Sequence, residues 1–441
     1  MRAVQIAVIG LMLFALAGAQ EAKNLRDYMA AAEQIDTFSG TVLVARNGKI
    51  VLQHASGLAD RGKQLRNTVD TSFRIGSMTK SITATAIMIL VDRQRPVRIG
   101  DSVCAYLKPC PEKWNAVRVE HLLTHTAGMP DIVKFPDFME LRMKPHTSAQ
   151  LVEKIASKPL DFTPGSKFVY SNSNFLVLGA VIERVSGVSY DAFLNQRVFG
   201  PAGMKSSGYE VIAGRKLAKG YVREGSSFRE ADKSETSVRF SAGGLYSSAP
   251  DLLRFVRALA TGRILGGSMM DEMWTDHGNK YGFGWFVDNE KQRREVGHNG
   301  RVDGYSSSFR YFRDEDLFLC VLSNTQGTNT ERMIQALAAI THGEAFKMPR
   351  EHKFVTVGPD VLERYVGKYK LPWGLVLIVT REGDRLMGRA EQEKQSTEWK
   401  AESPTRFYVP PADIEIEFHK DGSGKYVLNF DGAAEAVRVE E

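Results

Sequence analysis

Cysteine is scarce in this chain, with three residues in 441, which excludes a disulfide-rich scaffold. Cys104 and Cys110 lie in the segment SVCAYLKPCP and could pair locally in an oxidising compartment; two free thiols are the alternative. Cys320, within LFLCVL, is typical of a buried strand residue. His121 and His125 have the spacing of a helical metal pair, but no HExxH glutamate or third ligand accompanies them, so we predict no metal site.

Several functional motifs are also missing. The chain has no G-x-S-x-G nucleophile elbow, which argues against an α/β-hydrolase, and no phosphate loop or dinucleotide fingerprint. The formal net charge is +6 and the pI about 9.0, yet no block of Lys and Arg forms a basic patch. We therefore predict no nucleic-acid partner.

Only the N-terminus carries a long apolar run. Arg2 precedes the apolar stretch 3–17, and Ala17-Gly18-Ala19 has the small residues of a signal-peptidase site. The run is too short to favour a transmembrane helix. Residues 1–19 are thus predicted to be a signal peptide, which gives a secreted or periplasmic protein that starts near Gln20 and has no integral membrane anchor after cleavage.

The length of 441 residues exceeds that of one typical domain, so we predict two domains in the rest of the chain. Two β-rich runs at 40–56 meet at Asn47-Gly48, a strong hairpin signal. Helical patterns follow, and strands return at 281–287, 305–312 and 317–323 before a helix near 330–341. This order predicts an α+β domain over 20–343, in which an antiparallel sheet formed by both ends is flanked by helices and carries an inserted helical lobe.

The C-terminal part, from residue 344 onward, has a different residue pattern. Residues 344–357 are polar and poorly periodic, so we interpret them as a linker. From 358 to 441, short alternating runs are separated by turn residues such as Asp421-Gly422-Ser423-Gly424. This pattern predicts a small all-β domain, either a sandwich or a barrel.

Ser77-Met78-Thr79-Lys80 lies where a loop becomes a strongly apolar helix. Three residues apart on a helix, Ser77 and Lys80 face the same side. Burial would lower the pKa of Lys80 and make it a usable base for the Ser77 hydroxyl. The alternative is a surface lysine after a helix-capping serine.

Two further short motifs contain candidate polar groups. Tyr170-Ser171-Asn172 follows a Pro-Gly turn and leads into a helix; the tyrosine could relay a proton, and the amide of Asn172 could hold Lys80. His298-Asn299-Gly300 precedes predicted strands, and Gly300 would allow a substrate to approach the backbone. Each motif alone is also compatible with ordinary packing.

Taken in this order, SMTK, YSN and HNG resemble the serine β-lactamase and penicillin-binding-protein superfamily. The segments HLLTHTAGMPD, FTPGSKFVYSNSNFLVLGAVIERVSG, SAGGLYSSAPDLLRF and YGFGWF are similar to its class C-like branch, which includes D-aminopeptidases, esterases and β-lactamases. The resemblance covers roughly 28–340, and the trailing domain is similar to the lipocalin-like module of some members.

The resemblance implies a role for each motif. Ser77 would be the nucleophile, Lys80 its base or proton partner, and Tyr170 the proton-transferring tyrosine with Asn172 as its amide partner. The backbone N–H of Arg301, after Gly300, would form an oxyanion hole with that of Ser77.

His298 occupies the position where β-lactamases usually carry lysine in KTG. An imidazole is only partly protonated near neutrality, so efficient β-lactam hydrolysis is not expected. A peptidase or esterase in which His298 tunes or orients Tyr170 fits this departure better.

We therefore predict a serine hydrolase that forms an acyl-enzyme on Ser77 and needs no cofactor. Its expected substrates are small molecules or short peptides, including those with D-residues, or small esters. A β-lactamase is the alternative within the same chemistry. A non-catalytic protein that binds peptide or lipid is the alternative from another class.

Overall fold

The computed structural model describes residues 2–35, 37–92, 97–209, 216–224, 227–289, 293–393, 395–410, 414–432 and 434–439, with side chains from residue 18 onward. The chain divides into two compact units, Met1–Met348 and Pro349–Glu441. The division falls inside the predicted linker 344–357, where the structure has neither helix nor strand. Among the described residues, no helix combines the length and apolar character needed to span a bilayer.

The helices are α1 (Arg2–Gln34), α2 (Thr79–Asp92), α3 (Val119–Leu123), α4 (Phe138–Leu141), α5 (Ser148–Ala156), α6 (Asn172–Ser186), α7 (Tyr190–Leu194), α8 (Gly200–Ala202), α9 (Phe240–Gly243), α10 (Ala249–Ala260), α11 (Gly267–Met273), α12 (Thr330–Thr341) and α13 (Pro359–Glu363). Short 3₁₀ turns occupy Gly76–Met78, Val103–Ala105, Glu112–Trp114, Ile132–Lys134 and Thr236–Val238, and a π-helical turn Asn195–Phe199.

The strands of the first unit are β1 (Gly40–Arg46), β2 (Lys49–Ser56), β3 (Leu58–Asp60), β4 (Leu65–Arg66), β5 (Phe73–Arg74), β6 (Tyr221–Glu224), β7 (Ser227–Glu230), β8 (Tyr246–Ser247), β9 (Phe286–Asp288), β10 (Glu295–Val302), β11 (Tyr305–Phe312), β12 (Leu317–Ser323) and β13 (Thr325–Gln326). Those of the second unit are β14 (Gly367–Lys370), β15 (Val376–Glu382), β16 (Arg385–Ala390), β17 (Thr397–Ala401), β18 (Arg406–Val409), β19 (Ile414–Lys420), β20 (Tyr426–Phe430) and β21 (Ala434–Val439).

A six-stranded antiparallel sheet forms the centre of the first unit, in the order β2-β1-β12-β11-β10-β9. Its strands come from both ends of the unit, and the helical lobe is inserted between them. The predicted α+β architecture is confirmed. The hairpin at Asn47-Gly48 is also present, with positive φ at both residues, as a tight two-residue turn requires.

Helix α2 lies at the centre of the main core. Every side chain from Thr79 to Leu90 is buried, which explains why its apolar residues show no single face. A second, smaller core on the other side of the sheet receives α12 and the C-terminal half of α1, including Leu25 and Met29. The sheet therefore separates two apolar layers. Ser77 lies in the turn directly before α2, the helix that is buried on all sides.

The predicted strand 281–287 is largely wrong, because only Phe286–Asp288 is extended in the sheet. The preceding residues form a tight turn in which Gly284 has φ +74°. A Cβ on Gly284 would lie 2.8 Å from the carbonyl oxygen of Lys80, so the turn packs directly against the first turn of α2. Alternating aromatic residues had suggested a strand, but in the turn Tyr281 packs on His125 and Trp285 on Phe309.

The second unit is an eight-stranded closed barrel in which each strand pairs with its sequence neighbours and β14 closes on β21. The predicted all-β domain is thus confirmed, and of its two alternatives the structure has the barrel. Large side chains form its buried core, among them Tyr369, Leu386, Trp399, Phe407 and Phe418.

Candidate active site

Ser77 lies in the 3₁₀ turn Gly76–Met78 that leads into α2. Gly76 has φ +52°, a conformation that side chains disfavour. A Cβ at this position would lie 2.9 Å from the backbone nitrogen of Arg301. The turn therefore approaches β10 closely, and the backbones of Ser77 and Arg301 lie on the two facing segments.

Gly300 makes this approach possible from the other side. A Cβ there would lie only 2.0 Å from the carbonyl oxygen of Ile75, just before the turn. The hydroxyl of Ser307 on β11 donates to the same carbonyl at 2.9 Å, which ties the turn to the sheet. The predicted oxyanion residues Gly300 and Arg301 thus flank the segment that carries Ser77.

Lys80 is fully buried in the first turn of α2. Its Nζ lies 3.0 Å from Ser77 Oγ, 2.8 Å from Asn172 Oδ1 and 2.7 Å from the carbonyl oxygen of Ala242. Burial, opposed in part by the charge of Asp131, lowers the pKa of Lys80 to about 7. A large fraction of Lys80 is therefore an uncharged amine at neutral pH.

Asp131 fixes the orientation of the Asn172 amide. The Nδ2 group of Asn172 donates to both carboxylate oxygens of Asp131, at 3.2 and 3.3 Å, and the Asn172 backbone N–H donates to one of them. Asn172 Oδ1 is thereby turned towards Lys80 as an acceptor. Neither Asn172 Oδ1 nor the Ala242 carbonyl can donate, so both require N–H groups of Lys80.

These three contacts serve both protonation states of Lys80, because the ammonium form donates to all three oxygens and the neutral amine donates to two of them. In the neutral amine, two N–H bonds of Lys80 satisfy Asn172 and Ala242, and the third direction, with the lone pair, faces Ser77 Oγ. In this state Ser77 donates its hydroxyl hydrogen to Lys80, which is the geometry of a nucleophile and its base.

Tyr170 approaches Ser77 from another side and hydrogen-bonds to its side chain. The Nζ of Lys80 lies 5.0 Å from the centre of the Tyr170 ring. Burial raises the pKa of Tyr170, and the hydrogen bond with Ser77 lowers it by less. Tyr170 is therefore a neutral phenol in the free protein, able to donate or relay a proton rather than to remove one.

The hydrogen bonds that the structure shows for the His298 side chain do not involve Ser77 or Lys80, and its ring centre is 6.4 Å from that of Tyr170. Its Nε2 lies 3.2 Å from the hydroxyl of Tyr281, and its Nδ1 lies 2.6 Å from the carbonyl oxygen of Asn299. Burial, helped by the charge of Lys80, lowers its pKa to about 3, so His298 is neutral. The predicted partial protonation of His298 is not supported.

Tyr281 also hydrogen-bonds to His125 Nε2, at 3.2 Å. The backbone N–H of Ser171 donates to His125 Nδ1, so the proton of this neutral imidazole is on Nε2. It follows that His125 donates to Tyr281, Tyr281 to His298 Nε2, and His298 to the carbonyl of Asn299. Burial holds the pKa of His125 well below its usual value, and every donor in this chain has an acceptor.

The His125 ring also packs on Tyr170, with ring centres 4.2 Å apart. The rings of His125 and Tyr281 thus pack against Tyr170. Sequence analysis missed this role, because it considered His125 only as a structural residue or a metal ligand. His121 is hydrogen-bonded elsewhere, to the backbone N–H of Arg118. Among the described residues, no group of three or more His, Cys, Asp or Glu side chains is placed to hold a metal ion.

Asp131 is the other residue that sequence reasoning missed. It is part of the segment HLLTHTAGMPD, which resembles the family but was given no chemical role.

Away from the candidate active site, Cys104 and Cys110 are joined in a disulfide, and Cys320 is buried on β12 as predicted.

Comparison with known proteins identifies the family of each unit. The Beta-lactamase family profile matches residues 22–343, and the family Domain of unknown function (DUF3471) matches 351–435. The chain belongs to the Beta-lactamase family. Members of the β-lactamase and penicillin-binding-protein superfamily are serine hydrolases, and the recognition made from the three motifs is confirmed.

Three relatives illustrate the range of this family. Penicillin-binding protein 4* of Bacillus subtilis (strain 168) is 28% identical over 95% of this chain and 98% of its own length. The D-stereospecific amidohydrolase of a Streptomyces species is 26% identical, with a TM-score of 0.61 over 73% of this chain and 99% of that one. The octameric penicillin-binding protein homologue of Pyrococcus abyssi, 23% identical, has the same fold over 94% of this chain and 99% of its own, with a TM-score of 0.66.

Proposed function

We propose that this Beta-lactamase family member is an acyl-transferring hydrolase that cleaves amide or ester bonds of small peptides, including those with D-residues, or of small esters. The observation that carries the proposal is the bonding of Lys80. Its two acceptors, Asn172 and Ala242, take both N–H bonds of the neutral amine and leave the lone pair for Ser77. A buried lysine with a pKa of about 7 is suited to general-base chemistry near neutrality.

In the first step, the Ser77 Oγ–carbonyl carbon bond forms while Lys80 takes the hydroxyl proton. The backbone N–H groups of Ser77 and Arg301 stabilise the oxyanion. The bond to the leaving amine or alcohol then breaks, and the leaving group takes a proton delivered through Tyr170. In the second step, water attacks the ester carbonyl, gives up a proton to the same groups, and Ser77 Oγ departs and regains its hydrogen.

The neutral state of His298 supports a peptidase or esterase over a β-lactamase. Where the family resemblance expects a charged lysine to hold a substrate carboxylate, this chain has an uncharged imidazole that is already hydrogen-bonded to Tyr281. The likeness to a D-stereospecific amidohydrolase supports substrates with D-residues.

Hydrolysis assays on three substrate types test the proposal: a D-alanyl anilide, a small p-nitrophenyl ester and a chromogenic cephalosporin. We expect turnover of the anilide or the ester by the wild type, and loss of that turnover in Ser77→Ala but not in Ser157→Ala, a control serine at the end of α5. Turnover of the cephalosporin alone would favour the β-lactamase alternative. Ligand binding without turnover would favour the non-catalytic alternative.

Export by cleavage near Gln20 and a lipocalin-like character of the barrel also stay proposals. Of the predicted signal peptide, Met1 and the side chains up to residue 17 lie outside the described part of the structure. Ala19 and Gln20 are exposed, whereas Leu25 and Met29 are packed in the core, so removal of 1–19 would leave the core intact. The intact mass of protein recovered from the periplasm or medium tests this: it should correspond to a chain that starts at Gln20.

A further inference from the structure

Three segments of the candidate active site continue into a neighbouring pocket of about 590 Å³. Arg74 lines it and lies three residues before Ser77. Arg239 lines it and directly precedes α9, the helix that contains the carbonyl acceptor for Lys80. Val302 and Asp303, which follow Arg301, form another part of the wall. The pocket therefore lies alongside the catalytic groups and belongs to the same unit.

The lining of this pocket includes four basic and four acidic residues, and at one of the acidic residues, Asp303, two guanidinium groups meet a single carboxylate. Asp303 forms ion pairs with both Arg142 and Arg239 and accepts a hydrogen bond from Ser234 Oγ at 2.9 Å. The side chains of Arg142, Arg239 and Asp303 are only 15%, 20% and 29% exposed. One carboxylate is thus shared by two guanidinium groups that are mostly shielded from water.

Arg74 is a third guanidinium beside this cluster, and its positive charge acts on both Arg239 and Tyr305. Within the described part of the chain, no hydrogen bond or ion pair holds the Arg74 side chain, although it is only partly exposed. An arginine that lines a pocket without a carboxylate of its own has guanidinium N–H groups available to bind an anion.

The remaining carboxylates of the pocket do not neutralise Arg74. Glu230 is paired with Lys219 at 3.1 Å, and Asp232 is paired with Arg229 at 2.9 Å. Glu235 is exposed, as is its neighbour Lys233.

We propose that this pocket is an anion subsite in which Arg74, beside Arg239, binds a carboxylate or phosphate group of the substrate. A guanidinium presents a planar fork that fits either group with two hydrogen bonds. The inference rests on the proposed hydrolase function and narrows its substrates to amides or esters that carry a negative charge at a distance from the scissile bond. Because His298 is neutral, this subsite supplies positive charge that the third motif lacks.

Matched esters test the subsite: p-nitrophenyl butyrate, the same ester with a terminal carboxylate, and one with a terminal phosphonate. We expect the wild type to prefer an anionic ester roughly tenfold or more in kcat/KM. Arg74→Gln should remove this preference mainly through KM, and should change kcat/KM for the neutral ester less than roughly twofold. Whichever anionic ester is preferred identifies the group that the pocket takes.

Arg184→Gln is the matched control, because it removes an exposed arginine of α6 roughly 18 Å along that helix from Asn172. It should behave as the wild type. Equal kcat/KM for neutral and anionic esters in the wild type, unchanged in Arg74→Gln, would overturn the subsite while leaving the hydrolase intact.

A binding measurement separates this inference from the hydrolase proposal. Glutarate and inorganic phosphate are titrated into the full-length wild type and Arg74→Gln while thermal unfolding is followed. A rise in Tm that depends on Arg74 would support the subsite even if no ester were hydrolysed. No rise with either anion, or equal rises in both proteins, would overturn it.

Discussion

At the scale of single residues, Lys80 determines what the candidate site can do. A buried ammonium is costly, and the surroundings of Lys80 contain one carboxylate, Asp131, that reaches it only through the Asn172 amide. The protein therefore lowers the pKa of Lys80 and keeps its lone pair directed at Ser77. The burial of Lys80 lowers the stability of the folded protein, but it provides a base that works near neutral pH.

The pH dependence of acylation follows from this pKa. Only uncharged Lys80 can accept the Ser77 proton, so the rate of reaction with a fluorophosphonate should rise with pH through about 7 and then level off. Lys80→Met should reduce the rate by roughly 10²–10⁴-fold and remove the inflection. Lys205→Met, which removes an exposed lysine, should retain the wild-type profile. A wild-type rate that is flat or falls between roughly pH 5 and 9 would contradict the assignment of Lys80.

Tyr281 is predicted to position Tyr170 through the two histidines. Tyr281→Phe leaves the buried Nε2 atoms of His125 and His298 without their partner, which should cost about 1–3 kcal/mol of unfolding free energy. Because the His125 ring packs on Tyr170, acylation of the folded variant should also slow.

Tyr106→Phe provides the comparison for Tyr281→Phe. Its hydroxyl donates to Asp101 at 2.7 Å, away from the candidate site, so its loss should affect stability without slowing acylation. If both variants acylate as fast as the wild type well below their Tm, Tyr281 is structural only.

At the scale of elements, the close approach of β10 to the turn before α2 aligns the two proposed oxyanion donors. Two glycines, Gly76 and Gly300, permit it, each because a Cβ would collide with the facing backbone. The fold thus uses the absence of side chains to bring the Ser77 and Arg301 backbones together.

Gly300→Ala should separate these backbones. Its Cβ would lie 2.0 Å from the Ile75 carbonyl, so β10 has to move, and acylation should fall by roughly 10²–10³-fold together with a lower Tm. Gly100→Ala is the control, because a Cβ there meets no atom within 4 Å. Unchanged acylation in folded Gly300→Ala would show that this contact does not form the oxyanion hole.

Local sequence patterns anticipated most elements but not the contacts between distant ones. The Asn47-Gly48 turn and the helix that begins at Asn172 were readable because their signals are local. Asp131 was not, since its importance depends on the fold bringing it to Asn172, 41 residues later. The turn before Phe286 was misread because its aromatic spacing imitates a strand.

At the scale of the whole molecule, each of the two units has a buried core of its own. The order of motifs made the first recognisable, and alternating short strands made the second. Sequence alone left the choice between sandwich and barrel open, because closure depends on the pairing of β14 with β21.

Brief digestion with trypsin should cut first between the units. Lys347 and Lys353 are exposed in the stretch 344–357, which has neither helix nor strand and joins the two units. Two fragments close to the sizes of Met1–Met348 and Pro349–Glu441, less any signal peptide, are expected by mass spectrometry. Early cuts inside the helical lobe would contradict two independent units.

The most direct test of the central claim is the intact mass of the mature protein after treatment with a fluorophosphonate, followed by mapping of the modified peptide. We predict one adduct per chain on Ser77 in the wild type, and none in Ser77→Ala. An adduct on another residue, or none in well-folded wild-type protein with Lys80 deprotonated above about pH 7, would contradict it.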